Sequence, residues 1–381
     1  MNIQENSSFK NIIWINNKEN INLIESHELN KSTLKNKRIE YFDWLRVFSC
    51  FSVVVLHVSG KKWYSSQILS HEWKIFNFYN SIVRFGVPIF FMISGTIFLE
   101  KDISFGIMLN KYIKRIYIKL LFWSFCYSLR EKIIHKNNIK KTFLIFLKGH
   151  FHLWFLFRIC GLYLVTPFLK QIAKNEKLFK TFLVLHIFFG LLFPNLLIVI
   201  FYNSKDYYNT LNDIISNFGL NGFLNHQQMY YISGFYLHQY NIKPLFRIIF
   251  YMLGIIGTTF TFQLTYYISF KKNKKINFYS GFFINVFFAS IGIFIFFKYN
   301  FNNLKCKKNI KEFIKKLGSL TFGIYIIHPF VIEEFYRRYN INTLLFEPLY
   351  NVPINSLITF LISLILVYII KLIPFINQYI L

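Results

Sequence analysis

The chain of 381 residues is short of acid and of cysteine. Asp and Glu number 17 against 44 Lys and Arg, which leaves a net charge of +27. An excess of that size invites a nucleic-acid reading. The lysines, however, gather between long apolar runs, where loops and membrane surfaces place them. Lys, Asn, Ile and Phe are all abundant, so a compositional bias accounts for part of the charge, and no nucleic-acid partner is expected. The four cysteines, Cys50, Cys126, Cys160 and Cys306, are scattered, with no Cys-x-x-Cys pair and no Cys/His cluster. That pattern argues against a disulfide framework and a zinc site, so no metal is expected. Residues 1–40 hold no apolar core of signal-peptide type. Neither an internal repeat nor a soluble catalytic domain is evident.

What the chain has is apolar length. Hydrophobic residues make up 54% of it. They fall in runs of about 18 to 25 residues, long enough to span a bilayer as helices. Most of these runs lack the 3.6-residue alternation of a soluble helical core. The expectation is an all-α polytopic membrane protein, with about ten transmembrane helices in one bundle. The expected spans are 41–60, 76–99, 112–129, 151–169, 181–203, 222–240, 246–269, 277–297, 317–336 and 352–374. The seventh, eighth and tenth read as packing helices. Residues 1–38 read as a flexible cytoplasmic extension, with Lys31, Lys35, Lys37 and Arg38 just before the first span and a short apolar patch at Ile12–Ile15. Basic residues in the flanks number about 23 on one side and about 16 on the other, which puts both termini in the cytoplasm. The loop at 298–316, with seven lysines from Lys298 to Lys316, votes most strongly for that orientation. The basic loops at 130–150 and 270–276 vote against it.

Ionisable side chains within spans are costly and mark function by default. His57 follows Arg46 by eleven residues in the first span. At about 100° per residue the two share one helical stripe, roughly 16 Å apart along the axis. Asp43 lies near the same face but about 21 Å from His57, so it orients Arg46 and not the imidazole. Span parity then brings three histidine positions to one level in the outer half: His57, the pair His150 and His152 at the start of the fourth span, and His328 in the ninth. Arg84 in the second span lies in the outer half too. The opposite end collects Asp43, Arg46, Lys111, Lys114 and Arg115. Basic side chains there suit an anionic donor from the cytoplasm, and imidazoles suit proton transfer from a hydroxyl that must be activated to attack.

Each feature also has a plainer reading. His57 can be a packing histidine, and Arg46 can snorkel to the interface. Lys114 and Arg115 can be interfacial anchors, His152 and Trp154 an aromatic belt, and His328-Pro329 a helix end. Gly86-x-Pro88 and Ser94-Gly95 more often shape helix bends and close packing than chemistry.

Five blocks in order resemble the acyltransferase 3 family of integral membrane acyltransferases, and within it the O-acetyltransferases of bacterial surface glycans. They are Asp43-Trp-Leu-Arg46 with Val53-Val-Val-Leu-His57; Phe85-Gly-Val-Pro88-Ile-Phe-Phe-Met-Ile-Ser94-Gly95; His152-Leu-Trp154-Phe-Leu-Phe-Arg158 with Gly161-Leu-Tyr163-Leu-Val-Thr166-Pro167; Gly234-Phe-Tyr-Leu; and Ser319-Leu-Thr-Phe-Gly323-Ile-Tyr325-Ile-Ile-His328-Pro329. The resemblance covers residues 38 to 374 and reads residues 39–376 as one membrane domain. Two features depart from the family. Many relatives carry Arg-x-x-Arg at the start of the third span; here Arg115 is followed three residues later by Ile118, with Lys119 next. An ammonium lacks the bidentate fork of a guanidinium. Many glycan-modifying relatives also carry an extracytoplasmic esterase-like domain, which is not seen past the tenth span.

The resemblance implies acetyl-CoA as acyl donor, no permanently bound cofactor, and a sugar hydroxyl on a surface polysaccharide or lipid-linked precursor as acceptor, in the bacterial inner membrane among its lipids. Family knowledge marks Arg46 and His57 as essential. The expected catalytic set is His57 as general base with Arg46, His152 and His328. Arg46, Lys114, Arg115 and Lys119 are expected to contact the donor, and Arg84, Trp154 and Tyr325 the acceptor. The competing function is a transporter or flippase for a lipid-linked glycan, in which intramembrane charges and broken helices also occur.

Overall fold

The computed structural model describes residues 14–16, 38–193, 226–279, 283–302, 304–373 and 380–381, with isolated positions between 196 and 217. The expected flexible extension at 1–38 therefore falls almost wholly outside the described residues. Its described strand, β1 (Trp14–Asn16), pairs antiparallel with β2 (Tyr240–Ile242), Trp14 opposite Ile242. Everything else of regular structure among the described residues is helical.

The helices are α1 (Glu40–Trp63), α2 (His71–Ile82), α3 (Gly86–Glu100), α4 (Lys114–His135), α5 (Ile139–Lys148), α6 (Trp154–Lys174), α7 (Glu176–Leu185), α8 (His226–Gln239), α9 (Pro244–Lys272), α10 (Ile284–Phe301), α11 (Lys308–Tyr339) and α12 (Pro348–Lys371). Local chemistry sets their ends. The Ser70 hydroxyl accepts from the Trp73 amide at 3.1 Å and caps α2. Pro244 and Pro348 open α9 and α12, where a missing N–H costs nothing. Lys136, Asn273 and Asn340 close α4, α9 and α11 in the left-handed conformation.

The fold is the all-α polytopic membrane architecture. By length and composition, six stretches among the described residues can cross a membrane: Glu40–Trp63, His71–Glu100, Ile139–Lys174, Pro244–Lys272, Ile284–Phe301 and Pro348–Lys371. Ten were expected. α4 and α11 are too polar to meet the same criterion, α8 has only 14 residues, and the expected span at 181–203 is continuously described only to Phe193. The expected continuous helix at 76–99 is two helices, broken at Val83–Phe85. Pro88 sits in the first turn of α3, the place in a helix where proline is tolerated.

α1 runs through the middle of the bundle and touches α2, α3, α10, α11 and α12. α3 and α8 cross at van der Waals distance through two glycines. A Cβ on Gly95 would stand 1.8 Å from the Tyr231 carbonyl oxygen, and one on Gly234 would stand 2.1 Å from that of Met92. Small residues of this kind let helix backbones meet in membranes. Of the three expected packing helices, α10 is largely enclosed, with 61% of its apolar window buried. α9 and α12 bury 17% and 33% and turn most of their apolar surface outward, as lipid-facing helices do.

Candidate functional site

α1 carries the expected stripe. Near its start, buried Asp43 accepts from Arg46 Nη1 at 3.1 Å. It also takes a bidentate contact from Arg38, with Nε at 2.6 Å and Nη2 at 2.7 Å. Asp43 therefore holds two guanidiniums, and Arg38, just ahead of the helix, makes the tighter pair. That fork holds the Arg38 guanidinium above its ordinary pKa.

A cavity of about 450 Å³ opens beside this end of α1. Arg46, Arg115 and Lys119 supply cations to its lining, and Tyr112, Phe155, Tyr163, Phe322 and Tyr325 supply aromatic wall. Among the described residues neither Asp nor Glu lines it. Lys119 also donates to the Leu381 carbonyl and lies 4.8 Å from the centroid of the Phe322 ring. Of the two lysines expected at a donor site, Lys119 lines the cavity. Lys114 is exposed and does not.

Farther along α1 lies a second cavity, of about 370 Å³. His57, Arg84, Lys61, Tyr64, Asn80, Phe151, Pro329 and Glu333 are among its lining. On three chain segments the two linings are separated by a single helical turn, or close to it: Val53 and Leu56, Phe155 and Phe151, Tyr325 and Pro329. One turn advances about 5.4 Å. The two cavities therefore sit one above the other, and His328 lies in the chain between their linings on α11.

Three of the expected histidines do converge. The His57 ring centroid lies 5.2 Å from that of His328, and His328 lies 6.0 Å from His152. Pro329 has no N–H, so it is the Tyr325 carbonyl, one turn back, that loses its usual helical donor. The His328 ring turns back along the helix, and its Nδ1 lies 3.1 Å from the Ile324 carbonyl oxygen. A carbonyl only accepts, so Nδ1 carries the proton and Nε2 the lone pair. That Nε2 is buried and has no hydrogen-bond partner among the described residues. His57 itself is half-buried, and ring contacts to Phe151 and His328 surround it.

His152 is buried and lines neither cavity. Its Nε2 faces the Ile326 carbonyl at 3.1 Å, and its Nδ1 faces Nδ1 of His150 at 2.8 Å. His150 Nε2 stands 3.2 Å from Glu333 Oε1, and Tyr127 stacks on the His150 ring at 4.2 Å. Both outer nitrogens of the His150–His152 pair thus face acceptors, and the inner contact needs one proton between two nitrogens. Tyr325, expected to meet the acceptor, instead lines the first cavity and donates its hydroxyl to the His152 carbonyl. Trp154, expected there too, is 44% exposed, touches Phe91, and lines neither cavity.

Sequence reasoning missed a charged cluster at this level. Arg130 on α4 pairs with Glu333 at 2.5 Å and Glu334 at 2.7 Å. A signal existed: Glu333 and Glu334 are acids inside an expected span of a chain poor in acid. Glu131, His150 and Glu333 bring ligand-type atoms within 4.8 Å of one another. Arg130 stands among them, so the carboxylates already have a cation.

The acyltransferase 3 family model, an acyltransferase domain, matches residues 39–372. No curated protein and no solved structure matches the chain.

Proposed function

This chain belongs to the acyltransferase 3 family, and from that premise we propose that it moves an acetyl or similar short acyl group from acyl-CoA to a sugar hydroxyl. The acceptor in this reading is a surface polysaccharide or its lipid-linked precursor. The setting is the bacterial plasma membrane, with both termini cytoplasmic. The observation that carries the reading is the pair of cavities stacked along α1, cationic at the Arg46 end and bearing His57 at the other.

The first cavity suits the donor. Arg46, Arg115 and Lys119 would meet the phosphates of CoA, and the aromatic wall would take the pantetheine arm toward His57. The acceptor would enter the second cavity. His57 would take the hydroxyl proton as the oxygen attacks the thioester carbonyl carbon. The C–O bond forms, the C–S bond breaks, and the thiolate leaves to be protonated as CoA–SH. A base needs an orienting partner. His328 Nε2 offers an acceptor for one His57 N–H, which would leave the other His57 nitrogen free for the hydroxyl.

The test has two arms. Purified protein should bind and slowly hydrolyse acetyl-CoA, whereas a transporter or flippase would do neither. Mass spectrometry of surface glycans, with and without the gene, should show units that lose the mass of one acyl group. Absence of both signals would overturn the reading.

A further inference from the structure

The second cavity holds two cations that make no ion pair among the described residues. Arg84 sits in the break between α2 and α3. Its Nη2 donates to Asn80 Oδ1 at 2.5 Å, its Nε faces the Asn80 carbonyl at 3.2 Å, and its guanidinium lies 4.2 Å from the Tyr279 ring centroid. The Asn80 side chain is itself fixed, donating to the Ser59 hydroxyl at 3.0 Å. Lys61, one turn past His57, lies 4.0 Å from the Tyr336 ring centroid. Among the described residues neither cation has a carboxylate within the 4.0 Å of an ion pair.

One carboxylate, Glu333, lines this cavity. It is already committed, to Arg130 at 2.5 Å and to His150 at 3.2 Å. Arg130 also pairs with Glu334, which Arg337 and Arg338 share. Arg84 and Lys61 thus face a cavity large enough for a sugar unit without an ion pair of their own among the described residues. Aromatic faces and a side-chain amide steady a cation but do not neutralise it. Lys61 is exposed and Arg84 half-buried; for Arg84, a cation held away from bulk water without an anion is costly unless a ligand supplies one.

We propose that the acceptor is anionic: the sugar taken by this cavity bears a carboxylate or phosphate group, held between Arg84 and Lys61 while its hydroxyl meets His57. This rests on the reading of the second cavity as the acceptor site. A guanidinium fixed by Asn80 presents its remaining N–H groups as a planar donor set, which suits a carboxylate or a phosphate oxygen pair. The anion would then set the acceptor's orientation, and the apolar lining from Leu56, Phe151 and Ile332 would exclude water around it.

The test is ligand-induced thermal stabilisation of the purified full chain in detergent, with methyl glucuronide and glucose 1-phosphate as the two anionic probes and methyl glucoside as the neutral control. A ligand that binds only the folded state raises the melting temperature in proportion to occupancy. At least one anionic probe should raise it, and methyl glucoside should not. Which probe acts tells a carboxylate-bearing sugar from a phosphate-bearing one. Arg84→Gln should weaken the response about tenfold or more in probe concentration, and Lys61→Gln should weaken it separately, since a charge-assisted hydrogen bond carries about that much affinity. Equal stabilisation by methyl glucoside, no shift with either anionic probe, or an unchanged response in both variants would overturn the proposal. Acetyl-CoA binding by the same preparation reports on the donor reading separately. Donor binding without anion binding defeats this inference alone; loss of donor binding defeats the acyl-transfer reading.

Discussion

The imidazoles of His57 on α1 and His328 on α11 face each other with ring centroids 5.2 Å apart, and the nitrogen that His328 leaves free is buried without a hydrogen-bond partner among the described residues. The two cavities approach each other at this pair. A base and its orienting group on different helices can hold fixed geometry only if the helices are packed tightly, and α1 and α11 are in direct contact along the bundle.

His328 is therefore expected to act through His57. His328→Asn should lower turnover about a hundredfold, the scale of a small misplacement of a catalytic group, while leaving the KM for acetyl-CoA near its original value. Steady-state kinetics separate the two parameters. An equal loss through KM alone would place His328 in donor binding instead.

The cationic end of the first cavity predicts a split between two neighbouring lysines and an arginine. Arg115→Gln and Lys119→Gln should each raise the KM for acetyl-CoA about tenfold to a hundredfold, from the loss of one charge-assisted hydrogen bond. Lys119→Arg should retain or improve the affinity, because it restores a fork. Lys114→Gln, on an exposed side chain away from the lining, should change the KM less than twofold, within the ~0.5 kcal/mol typical of surface substitutions.

Asp43 is buried between Arg38 and Arg46. Asp43→Ala should destabilise the protein by about 1–3 kcal/mol, the usual cost of leaving a charged hydrogen-bonding partner unmatched. A lower melting temperature in detergent checks this. Acyl transfer should fall as well, because Arg46 loses the carboxylate that aims it into the cavity.

The α3–α8 crossing makes a prediction about folding alone. Gly234→Leu would drive side-chain atoms into the Met92 backbone, where even a Cβ stands at 2.1 Å. The expected outcome is loss of monodisperse protein on size-exclusion chromatography, with Gly161→Ala, where a Cβ meets nothing within 4 Å, behaving as the parent.

Much of this site was legible in the chain. Helical spacing aligned Arg46 and His57, and the placement of His150, His152 and His328 at one level needed only span parity. The rotation of each helix about its own axis was not legible, because long apolar spans carry little 3.6-residue signal to say which face turns inward. Trp154 and Lys114 point away from both cavities for that reason, and Tyr325 lines the first cavity while binding the His152 carbonyl. The pairing of Arg130 on α4 with Glu333 and Glu334 on α11 joins residues about two hundred positions apart, and no local pattern announces such a contact. The break at Val83–Phe85 did leave a trace in Gly86-x-Pro88. Its consequence, Arg84 directed at a cavity whose lining acid, Glu333, is held by Arg130, appears only once α2, α1 and α11 are packed together.

The central claim is that His57 is the base for acyl transfer. The most direct measurement is transfer of radiolabelled acetyl from acetyl-CoA to membrane glycan by the wild type and by His57→Ala, at matched protein levels, with acetyl-CoA binding measured in parallel. The account predicts a loss of about 10²- to 10⁴-fold in transfer, the usual share of a general base, with donor binding retained. Full transfer by His57→Ala would contradict it.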